Sequence, residues 1–332
     1  MPPSRPDLSV ACVLNPGAFH FEGKTWLVLR VAEGVPAGDG TVSASVLDAT
    51  APEGMRRVEA RAGDPDLILG GDPRGFIWRG DHYLTTISHL RLASSHDGVA
   101  FRVEPAPALE GEGNLESYGL EDCRVTEIDG RYHLAYTAVS PEGFGVSVAD
   151  TGDWRTYRRH GMVLPPPNKD FVLFPEMVGG AYVALHRPVT AGLGLPSMWI
   201  ARSSDLVHWG EQQCILRPRR GMWDSTKLGA GPPPLRIPEG WLEIYHGVDK
   251  DQRYCLGAVL LDADEPARVL GRSPDPIMEP LADYEIHGFF GNVIFATGAF
   301  AEDDQLTIYY GAADKHVCGA TMSIQEILAG LD

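Results

Sequence analysis

Two adjacent acidic residues form the stretch of this chain that is best suited to acid catalysis. Glu121 and Asp122 lie where a turn passes into a strand-like segment, two residues before Arg124. A carboxylic acid in such a position can donate a proton to a departing oxygen. Neighbouring side chains on an extended strand face opposite ways, so we expect only one of the two acids to face a substrate. The local alternative is a solvated or arginine-paired acidic turn.

Basic and polar residues recur at turns in the second half of the chain. They are Asn168-Lys169-Asp170, His186-Arg187, Ser225-Thr226-Lys227, Tyr245-His246 and Arg253-Tyr254. The chain has a formal net charge of -17. Cations repeated at equivalent turns of such an acidic chain would suit a bound phosphate or carboxylate. Each of them alone is equally well explained as a solvated surface charge.

Repeated hairpins are the elements that would bring these distant turns together. Each repeat has a turn, a Gly-containing hairpin signal and a strand rich in β-branched and aromatic residues. The repeats start at Asn15, Asp72-Pro73-Arg74, Asp122-Cys123-Arg124, Phe174-Pro175-Glu176, Pro232-Pro233 and Asn292. Their spacing of about 50 to 60 residues is close to one four-stranded propeller blade. An all-β propeller is therefore predicted, in which the turns entering each inner strand converge on one funnel.

One short helix is predicted, at the C-terminal end of the chain. Ser323 and Glu326 fit a capping box at its start. We expect one catalytic domain over residues 1–332, with residues 1–9 as a flexible N-terminal extension.

Composition limits the classes of partner. The 332 residues are 44% hydrophobic and 22% charged, as in ordinary globular proteins. The negative charge disfavours nucleic acid and anionic membranes as partners. The five cysteines are scattered and lack C-x-x-C spacing, so we expect neither a disulfide framework nor a metal site. No apolar run is long enough to span a bilayer, and a cytoplasmic location is expected.

Six ordered motifs of the chain resemble glycoside hydrolase family 130, which consists mostly of β-mannoside phosphorylases. The motifs are Gly119 to Arg124, Asn168 to Glu176, His186-Arg187-Pro188, Lys227 to Pro233, Gly240 to Gly247 and Tyr309 to Asp314. The resemblance covers nearly the whole chain from Asn15 onward. It implies a five-bladed β-propeller, in which the terminal units of the six repeats would share or close one blade.

The resemblance also implies roles for individual residues. The single catalytic acid falls on Asp122. Phosphate-binding roles fall on Lys169, Arg187, Lys227, His246 and Tyr254, and substrate-binding roles on Asn15, Arg30, Glu121, Asp170 and Asp314. No cofactor is implied, and inorganic phosphate is the co-substrate. Cys123 stands where the family usually has proline, and Lys169 where it often has arginine.

The implied reaction is an inverting phosphorolysis that gives α-mannose 1-phosphate. An anionic nucleophile needs cations and no second carboxylate as base, which fits this set of residues. The segment from Gly288 to Asn292 and the short N-terminus resemble the family members that act on β-1,2-linked mannosides more than those that act on mannosyl-glucose, which implies β-1,2-mannobiose or β-1,2-oligomannan as the substrate. The alternatives are a β-mannosidase that uses water and a non-catalytic carbohydrate-binding propeller. The resemblance also allows a homo-oligomer.

Overall fold

Strands make up most of the regular structure in the computed structural model, which describes residues 1–70, 74–190 and 192–332. The predicted all-β class is confirmed. The two short α-helices are α1 (Asp283–Ile286) and α2 (Ile324–Ala329). The second is the predicted C-terminal helix, where Ser323 Oγ accepts a hydrogen bond from the Glu326 amide at 3.1 Å. Among these described residues, no helix is long and apolar enough to cross a membrane.

The first antiparallel group of strands is interrupted by a long insert. The strands up to residue 103 are β1 (Ser9–Phe21), β2 (Lys24–Gly34), β3 (Thr41–Leu47), β4 (Met55–Arg61), β5 (Leu67–Leu69), β6 (Gly75–Trp78), β7 (Asp81–Leu84), β8 (Ile87–Ser95) and β9 (Arg102–Val103). Strands β1, β2, β8 and β9 pair in that order, whereas β3–β4 and β5–β6–β7 form two small sheets of their own. The insert therefore runs from the end of β2 to the start of β8.

Four further antiparallel groups follow in chain order. Their strands are β10 (Gly119–Ile128), β11 (Arg131–Ser140), β12 (Gly143–Thr151) and β13 (Arg158–Leu164); β14 (Asn168–Leu173), β15 (Tyr182–Pro188), β16 (Met198–Ser203) and β17 (Trp209–Leu216); β18 (Lys227–Ala230), β19 (Leu235–Ile237), β20 (Gly240–Val248), β21 (Tyr254–Leu261) and β22 (Val269–Arg272); and β23 (Ile294–Glu302), β24 (Gln305–Ala312) and β25 (His316–Ser323). Short 3-10 turns lie at Pro52–Gly54 and Asn114–Glu116.

A single parallel pair of residues, Ser88 and Gly119, joins the first two groups. The backbones approach so closely there that a Cβ on Gly119 would lie 1.9 Å from the Ser88 carbonyl oxygen. Its φ of +94° is also a conformation that favours glycine. Glycine is therefore required where β10 begins, just before the acidic pair.

The repeat that starts at residue 72 does not form a group like the others. Asp72 and Pro73 lie outside the described residues, and the hairpin that follows is β6–β7, which belongs to the insert. The first strands of the first and last groups, β1 and β23, lie in separate sheets. The interpretation that the terminal units share a blade is thus wrong, and the insert explains why six repeats give five groups.

A hydrophobic cluster lies between each group and the next. The clusters contain Val28 with Leu134, Val146 with Phe171, Phe174 with Trp241, Leu256 with Ile308, and Tyr309 with Ala93. The last of these joins the fifth group back to the first. The leading strands are also neighbours, since β1 contacts both β10 and β23, and β14 contacts both β10 and β18.

Candidate active site

Backbone irregularities in three leading strands shape the site. The pairing of β1, β10 and β14 with their neighbours shifts register next to Asn15, Asp122 and Asp170. These residues have φ values of 47°, 51° and 53°. Asn and Asp tolerate this left-handed region better than most residues, and an extra residue in a strand re-aims the side chains around it. Each bulge therefore presents a polar side chain near the centre of the groups.

The bulge in β10 overturns one expectation from the sequence. Glu121 and Asp122 do not face opposite sides, because both contact Arg30 and both line the same cavity. Simple strand alternation fails here because Asp122 is not in an extended conformation.

The acid half of the site consists of Asp122 and the groups that hold one of its oxygens. Oδ1 of Asp122 accepts hydrogen bonds from Asn15 Nδ2 at 2.7 Å and Arg30 Nη1 at 3.1 Å. The same guanidinium donates through Nη2 to Glu121 Oε1 at 2.5 Å, and through Nε to Ser88 Oγ at 3.2 Å. Arg30 thus fixes the orientation of Asp122, whose carboxylate faces the cavity.

Burial and charge oppose each other at Asp122. Burial alone would raise the pKa of Asp122, but the charges of Arg30, Lys169 and Arg124 outweigh burial and lower it. The neighbouring carboxyl of Asp314 differs, because burial dominates there and raises its pKa. Asp122 is therefore ionised at neutral pH in this structure.

The anion half of the site surrounds Asp170. Arg187 Nη1 lies 3.0 Å from Asp170 Oδ2 and 3.1 Å from His246 Nε2, and His246 Nε2 lies 3.4 Å from the same carboxylate oxygen. Burial would raise the pKa of Asp170, but Arg187 and His246 hold it well below its usual range. Burial lowers the pKa of His246 to about 4, so at neutral pH His246 offers a hydrogen bond and no charge.

Lys169, Lys227 and Tyr254 complete the predicted phosphate-binding set. Lys227 Nζ lies 4.7 Å from the centre of the Tyr254 ring, and Lys169 Nζ lies 5.2 Å from that of Phe144. Burial, together with the charges of Arg187 and Lys169, lowers the pKa of Lys227 to about 8. Burial raises the pKa of Tyr254 to about 12.

One cavity of 490 Å³ brings both halves together, within the range of small-ligand sites of about 300–1,000 Å³. All of the predicted site residues line it except Lys227, whose Nζ lies over the ring of the lining residue Tyr254. Their individual roles stay predictions. Among the described residues, no cluster of three or more His, Cys, Asp or Glu side chains is placed to hold a metal ion.

Sequence reasoning missed the apolar part of this cavity. Phe76 and Ile77 of the insert line it, as do Phe289, Phe290 and Phe295. The guanidinium of Arg74 lies 5.3 Å from the Phe290 ring. No periodic pattern in the sequence identifies these residues as a group. The two adjacent phenylalanines between Gly288 and Gly291 are the one sequence feature that could have indicated an apolar wall. Cys123 is fully buried in the core and is not part of this wall.

The family model for glycoside hydrolase family 130, described as β-1,4-mannooligosaccharide phosphorylase, matches residues 75–332. The chain belongs to glycoside hydrolase family 130. It is 39% identical to a β-1,2-mannobiose phosphorylase of Listeria innocua over 99% of this chain and 94% of that protein. It is 38% identical to a 1,2-β-oligomannan phosphorylase of Thermoanaerobacter over 73% of this chain and 80% of that protein.

A solved structure gives the same family relationship in three dimensions. The structure of β-1,2-mannobiose phosphorylase from Listeria innocua in complex with β-1,2-mannobiose superposes with a TM-score of 0.95 and 38% identity. The match covers 100% of this chain and 95% of that chain. This member of family 130 therefore keeps the architecture of a mannoside phosphorylase along its whole length.

Proposed function

We propose that the protein catalyses inverting phosphorolysis of β-1,2-linked mannosides, releasing α-mannose 1-phosphate. The observation that carries the proposal is the composition of one cavity. Asp122, which is held by Asn15 and Arg30, faces the same space as Lys169, Arg187 and Tyr254. A phosphorylase needs this combination, because phosphate is already a nucleophile and must be held by cations.

Each half of the cavity has a defined part in this reaction. A phosphate oxygen attacks the anomeric carbon of the terminal mannosyl residue while the bond to the glycosidic oxygen breaks. Asp122 supplies the proton that the departing oxygen takes up, relayed through a sugar hydroxyl. Bound phosphate adds negative charge beside the cations that lower the pKa of Asp122, so it raises that pKa and favours the protonated acid.

Hydrolysis is the second candidate, because three further carboxylates, those of Glu121, Asp170 and Asp314, line the cavity. Water would need a base, and Glu121 and Asp170 are both ion-paired to arginine. Asp314 is the carboxylate that such a reaction would use. The cluster of cations around Asp170 has no function in hydrolysis, which favours phosphorolysis.

The β-1,2 linkage is favoured by a relative that matches nearly the whole chain. The protein that aligns over 99% of this chain is a β-1,2-mannobiose phosphorylase, although the family model is described by the β-1,4 activity. In addition, Phe289 and Phe290 of the segment that favoured this linkage line the cavity.

We further propose a single five-bladed β-propeller domain. The five antiparallel groups, the contacts between their leading strands and the core cluster that links the fifth group to the first support it. A cytoplasmic location, the absence of a cofactor and a homo-oligomer stay predictions.

The direct test is incubation with β-1,2-mannobiose, with and without inorganic phosphate. We expect mannose 1-phosphate and mannose only when phosphate is present, with the 1-phosphate in the α configuration by NMR. Release of mannose at the same rate without phosphate would overturn the proposal in favour of hydrolysis. Absence of turnover with β-1,2-, β-1,4- and mannosyl-glucose substrates would favour a carbohydrate-binding protein.

A further inference from the structure

Arg124 is a buried cation that lies between the acid and the anion-binding half of the site. Its side chain is 1% exposed. Nη1 donates to the carbonyl oxygen of Asp122 at 2.9 Å, Nη2 to that of Ala230 at 2.9 Å, and Nε to that of Gly231 at 3.1 Å. Its three nitrogens thus all bind backbone carbonyls, one of them in the bulge that carries the proton donor.

The same guanidinium also reaches the anion half. Nη2 lies 3.4 Å from Asp170 Oδ1, the oxygen opposite the one that pairs with Arg187. On the other side, its carbon lies 5.6 Å from the centre of the Phe295 ring. Arg124 on β10 therefore contacts residues of β14, β18 and β23, and it connects Asp122 with the carboxylate that orients Arg187.

Two further features show that this arrangement is specific. Asp122 has a left-handed φ, which a non-glycine residue keeps only when its surroundings hold it, and Arg124 binds its carbonyl. The nearby buried acid Glu243 accepts from the Gly231 amide at 2.9 Å, and burial raises its pKa well above the usual value. The carboxylate that the Arg124 guanidinium itself contacts is that of Asp170.

We propose that Arg124 is a positioning residue that fixes the backbone of the proton donor and the orientation of Asp170 together. The acid and the phosphate-binding cations would then keep their relative placement through one planar group. This inference rests on the proposed phosphorolysis for its kinetic test, and on phosphate binding alone for its second test.

Lysine in place of arginine separates geometry from charge, because an ammonium group cannot reproduce a planar fork bound to three carbonyls. We expect Arg124→Lys to lower kcat/KM about 100-fold, the size of effect that follows when catalytic groups shift by about 1 Å. Both kinetic constants should change, with a lower kcat and a higher KM for phosphate. Circular dichroism and thermal unfolding would establish that the variant folds.

Thr126→Val is the matched control. Thr126 lies two residues further along β10, and its Oγ1 donates to the Leu173 carbonyl at 3.3 Å, another buried link between β10 and β14. This variant should lose thermal stability and keep the kcat and the phosphate KM of the wild type.

The inference is overturned if Arg124→Lys stays within about threefold of wild-type kcat/KM, a change too small to reflect a lost charged hydrogen bond. It is also overturned if Thr126→Val loses as much activity as Arg124→Lys at equal stability.

A measurement on the unaltered protein covers the case in which Arg124→Lys does not fold or the wild type shows no phosphorolysis. Inorganic phosphate is titrated while the ¹⁵N resonances of the Arg124 guanidinium are followed by NMR. We expect them to shift with phosphate occupancy, although Arg124 is buried, because Asp170 links it to Arg187. Unchanged resonances at saturating phosphate would overturn the inference, whereas a shift without turnover would leave it intact and count only against the proposed reaction.

Discussion

Asp122 on β10 and Asp170 on β14 lie at the same kind of strand irregularity, with φ values of 51° and 53°. Both carboxylates are buried and both have a lowered pKa. Arg124 contacts both residues, through the backbone carbonyl of Asp122 and the carboxylate of Asp170. Their partners differ. One oxygen of Asp122 is held by an amide and an arginine, whereas Asp170 has Arg124 on one oxygen and Arg187 with His246 on the other.

The difference shows that the backbone position alone does not define a catalytic acid. A carboxylate with cations on both oxygens is stabilised as an anion and serves to orient those cations. A carboxylate held through one oxygen can still take up a proton when the local charge changes. The following predictions test this division of roles, beginning with the largest expected effect.

Asp122→Asn should abolish most phosphorolysis. An amide has no acidic proton to give, although its oxygen can still accept from Arg30, so the fold should persist. We expect kcat to fall by about 10²–10⁴-fold, the usual contribution of a general acid. Initial rates of mannose 1-phosphate release would measure it. A variant that keeps most of its activity would show that Asp122 is not the proton donor.

Asp170→Asn should act mainly on stability and phosphate binding. It leaves Arg187 and Arg124 without their shared anion, and breaking a buried pair costs about 3–5 kcal/mol of unfolding free energy. Urea unfolding would measure this loss, and the KM for phosphate should rise because Arg187 is no longer oriented. If Asp170→Asn removed kcat as fully as Asp122→Asn while phosphate still bound normally, the two roles would have to be exchanged.

The sequence identified Asp122 and Asp170 as site residues, but it did not predict how their side chains are arranged. The repeats predicted the all-β class, because turn chemistry and strand composition are local signals. The family resemblance of the motifs implied the site residues, of which all but Lys227 line one cavity. They did not predict that Glu121 and Asp122 share a side, since a register shift depends on the partner strand. They also missed Arg124, whose partners Ala230 and Gly231 are more than a hundred residues away.

Arg187→Ala tests the anion half directly. Arg187 is buried, and its Nη1 lies 3.0 Å from Asp170 Oδ2. A charged hydrogen bond from this guanidinium to phosphate contributes about 1.5–3 kcal/mol, or roughly 10–100-fold in phosphate KM. The KM for β-1,2-mannobiose should change much less. Arg158→Ala is a control, because this exposed arginine on the edge strand β13 pairs with Asp150 and does not line the cavity. An effect of Arg187→Ala confined to the sugar would argue against a phosphate-binding role.

The smallest effect is a pH dependence that originates in Lys227. Its pKa is lowered to about 8, so it loses its charge as the pH rises from 7 to 9. His246, with a pKa of about 4, and Tyr254, with a pKa of about 12, do not titrate in this range. The KM for phosphate should therefore rise with pH, by up to about tenfold if the Lys227 charge is fully lost.

The control is Lys227→Arg. Arginine stays charged throughout this range, so the variant should show a flatter dependence of the phosphate KM on pH. An equal rise of the KM in both proteins would locate the titrating group elsewhere. A flat phosphate KM beside a shifting kcat would assign the titration to the acid half instead.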